Sequence, residues 1–191
     1  MLKELLKNTR SCRTFDESRK ITRDELLDMV DCTRFTPSSM NLQPLSYRLV
    51  YKKEELSKVQ PITKWAGALP ELELPPTGHY PQAFIIICQD IEKFSEKPFN
   101  IDVGICSTTI YLRAAELGIS GCMLGSFNRD KLISALSLPE NIEPLLVIAL
   151  GKADETRKTV PAKDGQTRYF RKDGIHYVPK RELCDIIIEK N

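Results

Sequence analysis

Leu2, Leu5 and Leu6 recur at helical spacing, which predicts a short N-terminal helix that ends near Lys7, before TRSCRTF. Thr22 and Glu25 stand in capping-box register, and Leu26, Leu27 and Val30 share the face that follows, so a second helix is predicted to run up to TPSS. LSYRLVY reads as a strand and EELSKV as a helix. Gln60 to Pro81 reads as a long irregular excursion that holds the single tryptophan, Trp65, either a wall of a pocket or a packing anchor. AFIIIC, Ala83 to Cys88, is a continuous apolar run, the mark of a strand buried on both faces. Val103, Cys106, Ile110, Ala114 and Leu117 then keep helical period, with Gly118 placed as a left-handed cap. ISGCML is a short strand, Gly125-Ser126 a break, Asn128 the N-cap of a helix through Leu136, and LLVIAL a strand closed by Gly151. On this pattern alone, the alternation from Leu45 to Leu150 predicts a parallel, doubly wound sheet. The remaining segment is charged, carries Gly and Pro, and ends in the apolar DIII.

At 191 residues the chain is long enough to bury a core in one domain, or one domain with an arm. Lys+Arg number 28 against Asp+Glu 26, a formal net charge of +2, which leaves no basic excess for nucleic acid. Any anion site must therefore be local. The 6 cysteines are widely spaced with no C-x-x-C pair, which predicts reduced thiols in a cytoplasmic protein. His79 and His176 lie too far apart in sequence to suggest a transition-metal site. MLKELLKN is too polar and short for a signal peptide and no apolar run approaches membrane length, so neither secretion nor a membrane is expected. Neither G-x-G-x-x-G nor G-x-x-x-x-G-K-[ST] occurs, so a bound nucleotide would need another phosphate-holding device.

Two stretches carry candidate chemistry. RSCR, Arg10 to Arg13, sets two guanidiniums three residues apart with the Ser11 hydroxyl beside the first, a donor set suited to a phosphate or another planar anion, or else a solvated surface run. TPSSMNLQP, Thr36 to Pro44, holds more hydrogen-bonding side chains than a helix-to-strand turn requires. An ordinary ST or Asx turn accounts for its serines but not for Asn41-x-Gln43-Pro44.

Together, R-S-x-R-x-F followed by P-S-x-x-N-x-Q-P resembles the opening of the FMN-dependent nitroreductase family. The resemblance continues at DVGICSTTIYLRAAELGISGCMLGSF and at VPKREL, and so spans nearly the whole chain. It implies an α+β fold with a mixed, largely antiparallel sheet flanked by helices, which overrides the parallel expectation, and a homodimer with FMN at the interface. It also implies residues 1–151 as an FMN-binding core and 152–191 as a C-terminal arm that completes the flavin phosphate site and the dimer. By this resemblance Arg10 and Ser11 hold the ribityl phosphate or its surroundings, with Lys180 and Arg181 adding positive charge. Arg13 reaches the pyrimidine edge of the ring, where a fixed cation favours reduction and gives it the catalytic role. Pro37, Ser38 and Ser39, with Asn41 and Gln43, meet the cofactor from the second subunit, and the backbone of Leu124, Gly125 and Ser126 faces the ring near N5 and O4, although a strand ending in a Gly turn explains that stretch equally.

The implied activity is ping-pong oxidoreduction, in which NADH or NADPH delivers hydride to flavin N5 and a nitroaromatic, quinone or other small conjugated acceptor then takes the electrons. Two alternatives share these residues: a flavin-binding sensor or carrier without turnover, and a flavin-free dimeric scaffold. The chain departs from the family where Thr9 replaces a frequent arginine and where TRKTVPAKDGQTRYFRKDGIHY separates Gly151 from PKR. Arg157 and Lys152 therefore compete with the PKR pair for the phosphate.

Overall fold

The computed structural model describes residues 2–94 and 98–188. Met1 and the last three positions of the expected 152–191 arm lie outside the described residues. In chain order the elements are α1 (Leu2–Asn8), β1 (Phe15–Asp16), α2 (Arg23–Asp31), β2 (Leu45–Val50), α3 (Lys53–Val59), β3 (Ala83–Asp90), α4 (Asn100–Glu116), β4 (Ser120–Leu124), α5 (Arg129–Leu136), β5 (Ile142–Ala153), β6 (Thr156–Pro161), β7 (Phe170–Lys172) and β8 (Ile175–Lys180).

The local signals act as expected at the element ends. Thr22 Oγ1 accepts from the Glu25 amide while the Glu25 carboxylate accepts from the Thr22 amide, so the capping box of α2 is closed. Asn128 accepts from the Lys131 amide at 3.0 Å and caps α5. Gly118, at φ 71°, turns the chain out of α4 in the left-handed region. On α2 the buried stripe is Leu26 and Met29, whereas Leu27 is 39% exposed.

Strand β5 organises the main sheet. One edge pairs with β3, whose other edge takes β2; the opposite edge takes β4 over Val147–Gly151 and then β1 at Lys152 and Ala153. Every one of these pairings is antiparallel, which corrects the parallel sheet expected from the strand–helix alternation. The physical reason lies in β3, which is buried on both faces. Ile85 and Ile87 enter a core with Leu26, Met29, Ile110 and Ala114 of α2 and α4, while Phe84, Ile86 and Cys88 enter a second core with Val59, Leu132 and Leu136 of α3 and α5. An antiparallel sheet covered by helices on both sides writes the same unbroken apolar run as a parallel one.

Beyond β5 the chain forms a second sheet in which β6 runs parallel to β8 and β7 antiparallel to it. The architecture is thus α+β, with mixed but largely antiparallel pairing. The TPSS segment lies outside both sheets and links two 3-10 turns, Cys32–Phe35 and Ser39–Asn41, the second of which begins at its last serine.

Candidate functional site

The RSCR segment leaves the carboxyl end of α1 and runs along β4. Thr9 Oγ1 and Arg10 Nη2 donate to the last-turn carbonyls of Leu5 and Leu6, each at 2.7 Å, so both side chains close the helix end. The Cys12 amide donates to the Gly121 carbonyl at 2.7 Å and the Arg13 amide to Glu155 Oε1 at 2.6 Å. Cys12 is buried inward, its thiol pushed up to about 12 by that burial, so it stays neutral and serves as a small apolar side chain.

With the backbone pinned in this way, Arg10, Ser11 and Arg13 open onto a cleft of about 280 Å³. Its apolar wall comes from Leu6, Leu112, Met123 and Val178, and its polar wall includes Thr9, Thr108, Tyr111 and Lys180. Four parts of the chain therefore converge here: α1 with its exit, the middle of α4, β4, and β8 of the second sheet. Among the described residues none of the ion pairs uses Arg10, Arg13 or Lys180, and no carboxylate lines the cleft. The consequence shows in the basicities. Burial, and then Arg157, hold the Arg10 guanidinium below its ordinary value; burial, and then Arg10, do the same to the Lys180 ammonium. The Arg10 Nε is buried and finds no protein partner among the described residues. Such a set of cations, partly desolvated and unopposed, is built to receive an anion.

Sequence reasoning missed a group on the arm. The Arg13 Nη1 donates to His176 Nε2 at 3.2 Å, and its guanidinium lies 4.6 Å from the centre of the Tyr169 ring. His176 is 1% exposed, and its ring centre is 5.3 Å from that of Tyr169. Glu155 anchors the same region, accepting from both the Arg13 amide and the Arg171 guanidinium. Tyr169 and His176 fall inside the charged insertion before PKR, where neither hydrophobic period nor motif spacing marks them; the pairing is visible only once β8 is laid beside the RSCR segment.

Of the sequence candidates, Arg10, Ser11, Arg13 and Lys180 meet in the cleft, and Arg181 lies exposed beside it in sequence without lining it. Of the competing cations, Arg157 donates to the Arg10 carbonyl and to Ser120 Oγ, behind the arginine motif, whereas Lys152 pairs with Asp16 at 2.8 Å on the surface. The Pro37 to Gln43 loop does not line the cleft of its own chain. Ser38 Oγ donates to Asp102 Oδ1 at 2.5 Å and accepts from the Gln43 amide at 3.0 Å, and the Ser39 amide donates to the same carboxylate. Pro37, Ser39, Asn41 and Gln43 face solvent. From Asp102 to Thr108, where the cleft wall begins, α4 advances roughly 9 Å. Leu124 is buried in the core on the far side of the sheet, opposite to Met123, and Gly125 and Ser126 are exposed at the strand end. Trp65 donates to Thr63 Oγ1 at 2.9 Å and meets Phe15 edge-on, the part of a packing anchor.

Residues 6–152 match the family model described as Nitroreductase family. An oxygen-insensitive NADPH nitroreductase of Helicobacter acinonychis (strain Sheeba) is 26% identical over 185 residues, covering 78% of this chain and 86% of its own. A crystal structure of a nitroreductase family protein from Clostridium difficile 630 aligns with a TM-score of 0.65 at 25% identity, over 98% of this chain and 97% of that one. An FMN-dependent nitroreductase from Clostridium difficile R20291 aligns with a TM-score of 0.64 at 22% identity, over 84% and 91%. That last likeness speaks to the fold alone.

Proposed function

The chain belongs to the nitroreductase family, and from that premise we propose that it is an FMN-dependent oxidoreductase that takes hydride from NADH or NADPH and reduces a small conjugated acceptor such as a nitroaromatic or quinone. The observation that carries this reading is the cleft in which Arg10, Arg13 and Lys180 meet with no carboxylate partner among the described residues. A ribityl phosphate is the kind of group such a site fits, being close to dianionic and able to accept several charge-assisted hydrogen bonds.

When bound, FMN supplies hydride acceptance and electron donation. Arg10 and Lys180 would hold its phosphate, with Ser11 adding a hydroxyl donor. Arg13 would hold a fixed positive charge that favours the more negative reduced form. The apolar side chains Leu6, Leu112, Met123 and Val178 exclude water from that wall and strengthen the field of these cations. Arg157 supports the site from behind by fixing the Arg10 carbonyl.

The exposed Pro37 to Gln43 loop would reach the cleft of a second copy rather than its own. Phe35, Met40 and Ile101, 79%, 85% and 78% exposed around that loop, supply an apolar surface suited to such a contact. Residues 152–188 act in this reading as the arm that closes the phosphate end.

The test is the visible spectrum of the purified protein, followed by anaerobic addition of each nicotinamide. A yellow protein bleached by NADH or NADPH is the expected result. Colour that neither nicotinamide bleaches favours a carrier or sensor, and failure to bind added FMN overturns the reading.

A further inference from the structure

His176 is the buried titratable group that the cleft's cations leave unexplained. It is 1% exposed and stands in β8, facing Arg13, and the Tyr169 ring contacts both of them. An arginine has donors only, so the 3.2 Å contact from Arg13 Nη1 requires His176 Nε2 to be bare and to accept. The ring is then a neutral imidazole with its proton on Nδ1. Its surroundings enforce this: burial first, then the charges of Arg13, Arg171 and Arg157, push its pKa down to about 4.

The second holder of Arg13 is also uncharged, the face of Tyr169 at 4.6 Å. The carboxylate that could have neutralised the guanidinium, Glu155, is occupied by the Arg13 amide and by Arg171. Arg13 is thus buried and oriented by two neutral side chains, while its Nε has no protein partner among the described residues. A carboxylate in place of His176 would orient it as firmly and cancel its charge.

We propose that His176 is a positioning residue that fixes Arg13 through a neutral acceptor, so that the undiminished guanidinium charge acts on the anionic occupant of the cleft and raises the reduction potential of bound FMN. The proposal rests on the flavin reading above. It concerns residue 176 and not the presence of the cofactor, and the two can fail separately.

The test uses the FMN-loaded protein and reads two quantities, the FMN dissociation constant and the midpoint potential by dye equilibration. His176→Gln keeps a neutral acceptor and is expected to hold the potential near that of the wild type. His176→Glu sets a carboxylate on Arg13 and is expected to weaken the preference for reduced over oxidised FMN by about tenfold, a fall of about 30 mV for a two-electron couple. In an Arg13→Gln background the same change is expected to move the potential far less, since the effect passes through Arg13. Should His176→Glu not fold, His176→Leu replaces it, with the potential lost in leucine and retained in glutamine. Potentials indifferent to residue 176, or equal shifts in the glutamine and glutamate variants, overturn the inference while leaving the flavin reading intact. A wild-type protein that binds no FMN overturns both.

Discussion

Arg10 and Lys180, drawn from opposite ends of the chain, line one cleft, and the charge of Arg10 adds to burial in holding the Lys180 ammonium below its ordinary basicity. Among the described residues no ion pair uses either of these like charges and no carboxylate lines their cleft. Their mutual repulsion is relieved only when something negative enters.

The proton inventory of Lys180 gives the first prediction. Burial and then Arg10 hold its pKa below 10.5, and a phosphate dianion would raise it, so binding takes up a proton once the pH exceeds the lowered value. FMN affinity is therefore expected to fall as pH rises through the alkaline range, and Lys180→Arg to flatten that fall. Fluorescence titration of FMN between neutral pH and the ordinary lysine range checks it; a flat wild-type profile refutes it.

Arg13 and Lys180 should separate by role. Lys180→Ala removes a charge-assisted contact of about 1.5–3 kcal/mol, which weakens FMN retention by roughly ten- to a hundredfold. Arg13→Ala is expected to slow flavin reduction by nicotinamide in stopped-flow measurements more than it loosens FMN. Equal effects of both changes on both quantities would refute the division.

Ser38 has little left to offer a ligand. Its proton goes to the buried Asp102 carboxylate and one lone pair to the Gln43 amide. Ser38→Ala should destabilise the fold by about 1–3 kcal/mol through that carboxylate, with a smaller change in FMN affinity. Urea unfolding beside FMN titration tests this, and the opposite ranking would show that the hydroxyl turns to the cofactor.

Gly121 packs where no side chain fits. A Cβ there would stand 2.6 Å from the Ala149 carbonyl oxygen and 3.2 Å from the Tyr111 ring, in the β4–β5 ladder that carries one wall of the cleft. Gly121→Ala is expected to lose about 1–3 kcal/mol by overpacking, seen as a lower urea midpoint at unchanged slope.

Acid stability should depend on Glu25. Its hydrogen bond with Arg19, followed by those with Thr22, holds its pKa down to about 2 from 4.5, against the raising effect of burial. The stabilisation is present above 4.5 and is lost as pH falls through about 2. Glu25→Gln preserves the capping box while removing the charge, so it should cost about 0.5–1 kcal/mol near neutrality and nothing at low pH. A constant difference across that window in unfolding titrations would rule out the pairing as its cause.

Local chemistry was legible in the residues themselves. The Thr22–Glu25 box, the Asn128 cap and the Gly118 exit rest on contacts within a turn or two, so spacing alone determines them. Strand direction was not legible, because the both-face burial that shapes Ala83 to Cys88 is the same for either direction. The long motifs were read from their spacing, yet Ser38 spends its hydrogen bonds on Asp102, and Asp102 lies in a different element with no signal tying it to the loop.

By itself the sequence determined where helices start and stop, that the core is two-sided, and that two arginines and a serine stand at the exit of the first helix. Only the tertiary structure decided that Lys180 joins them and that Arg13 is held by His176 and Tyr169 instead of an acid. The physical reason is that a cation's character depends on what desolvates and faces it. Those neighbours come from β8, brought beside Arg13 by chain folding and by no periodicity that a linear reading can detect.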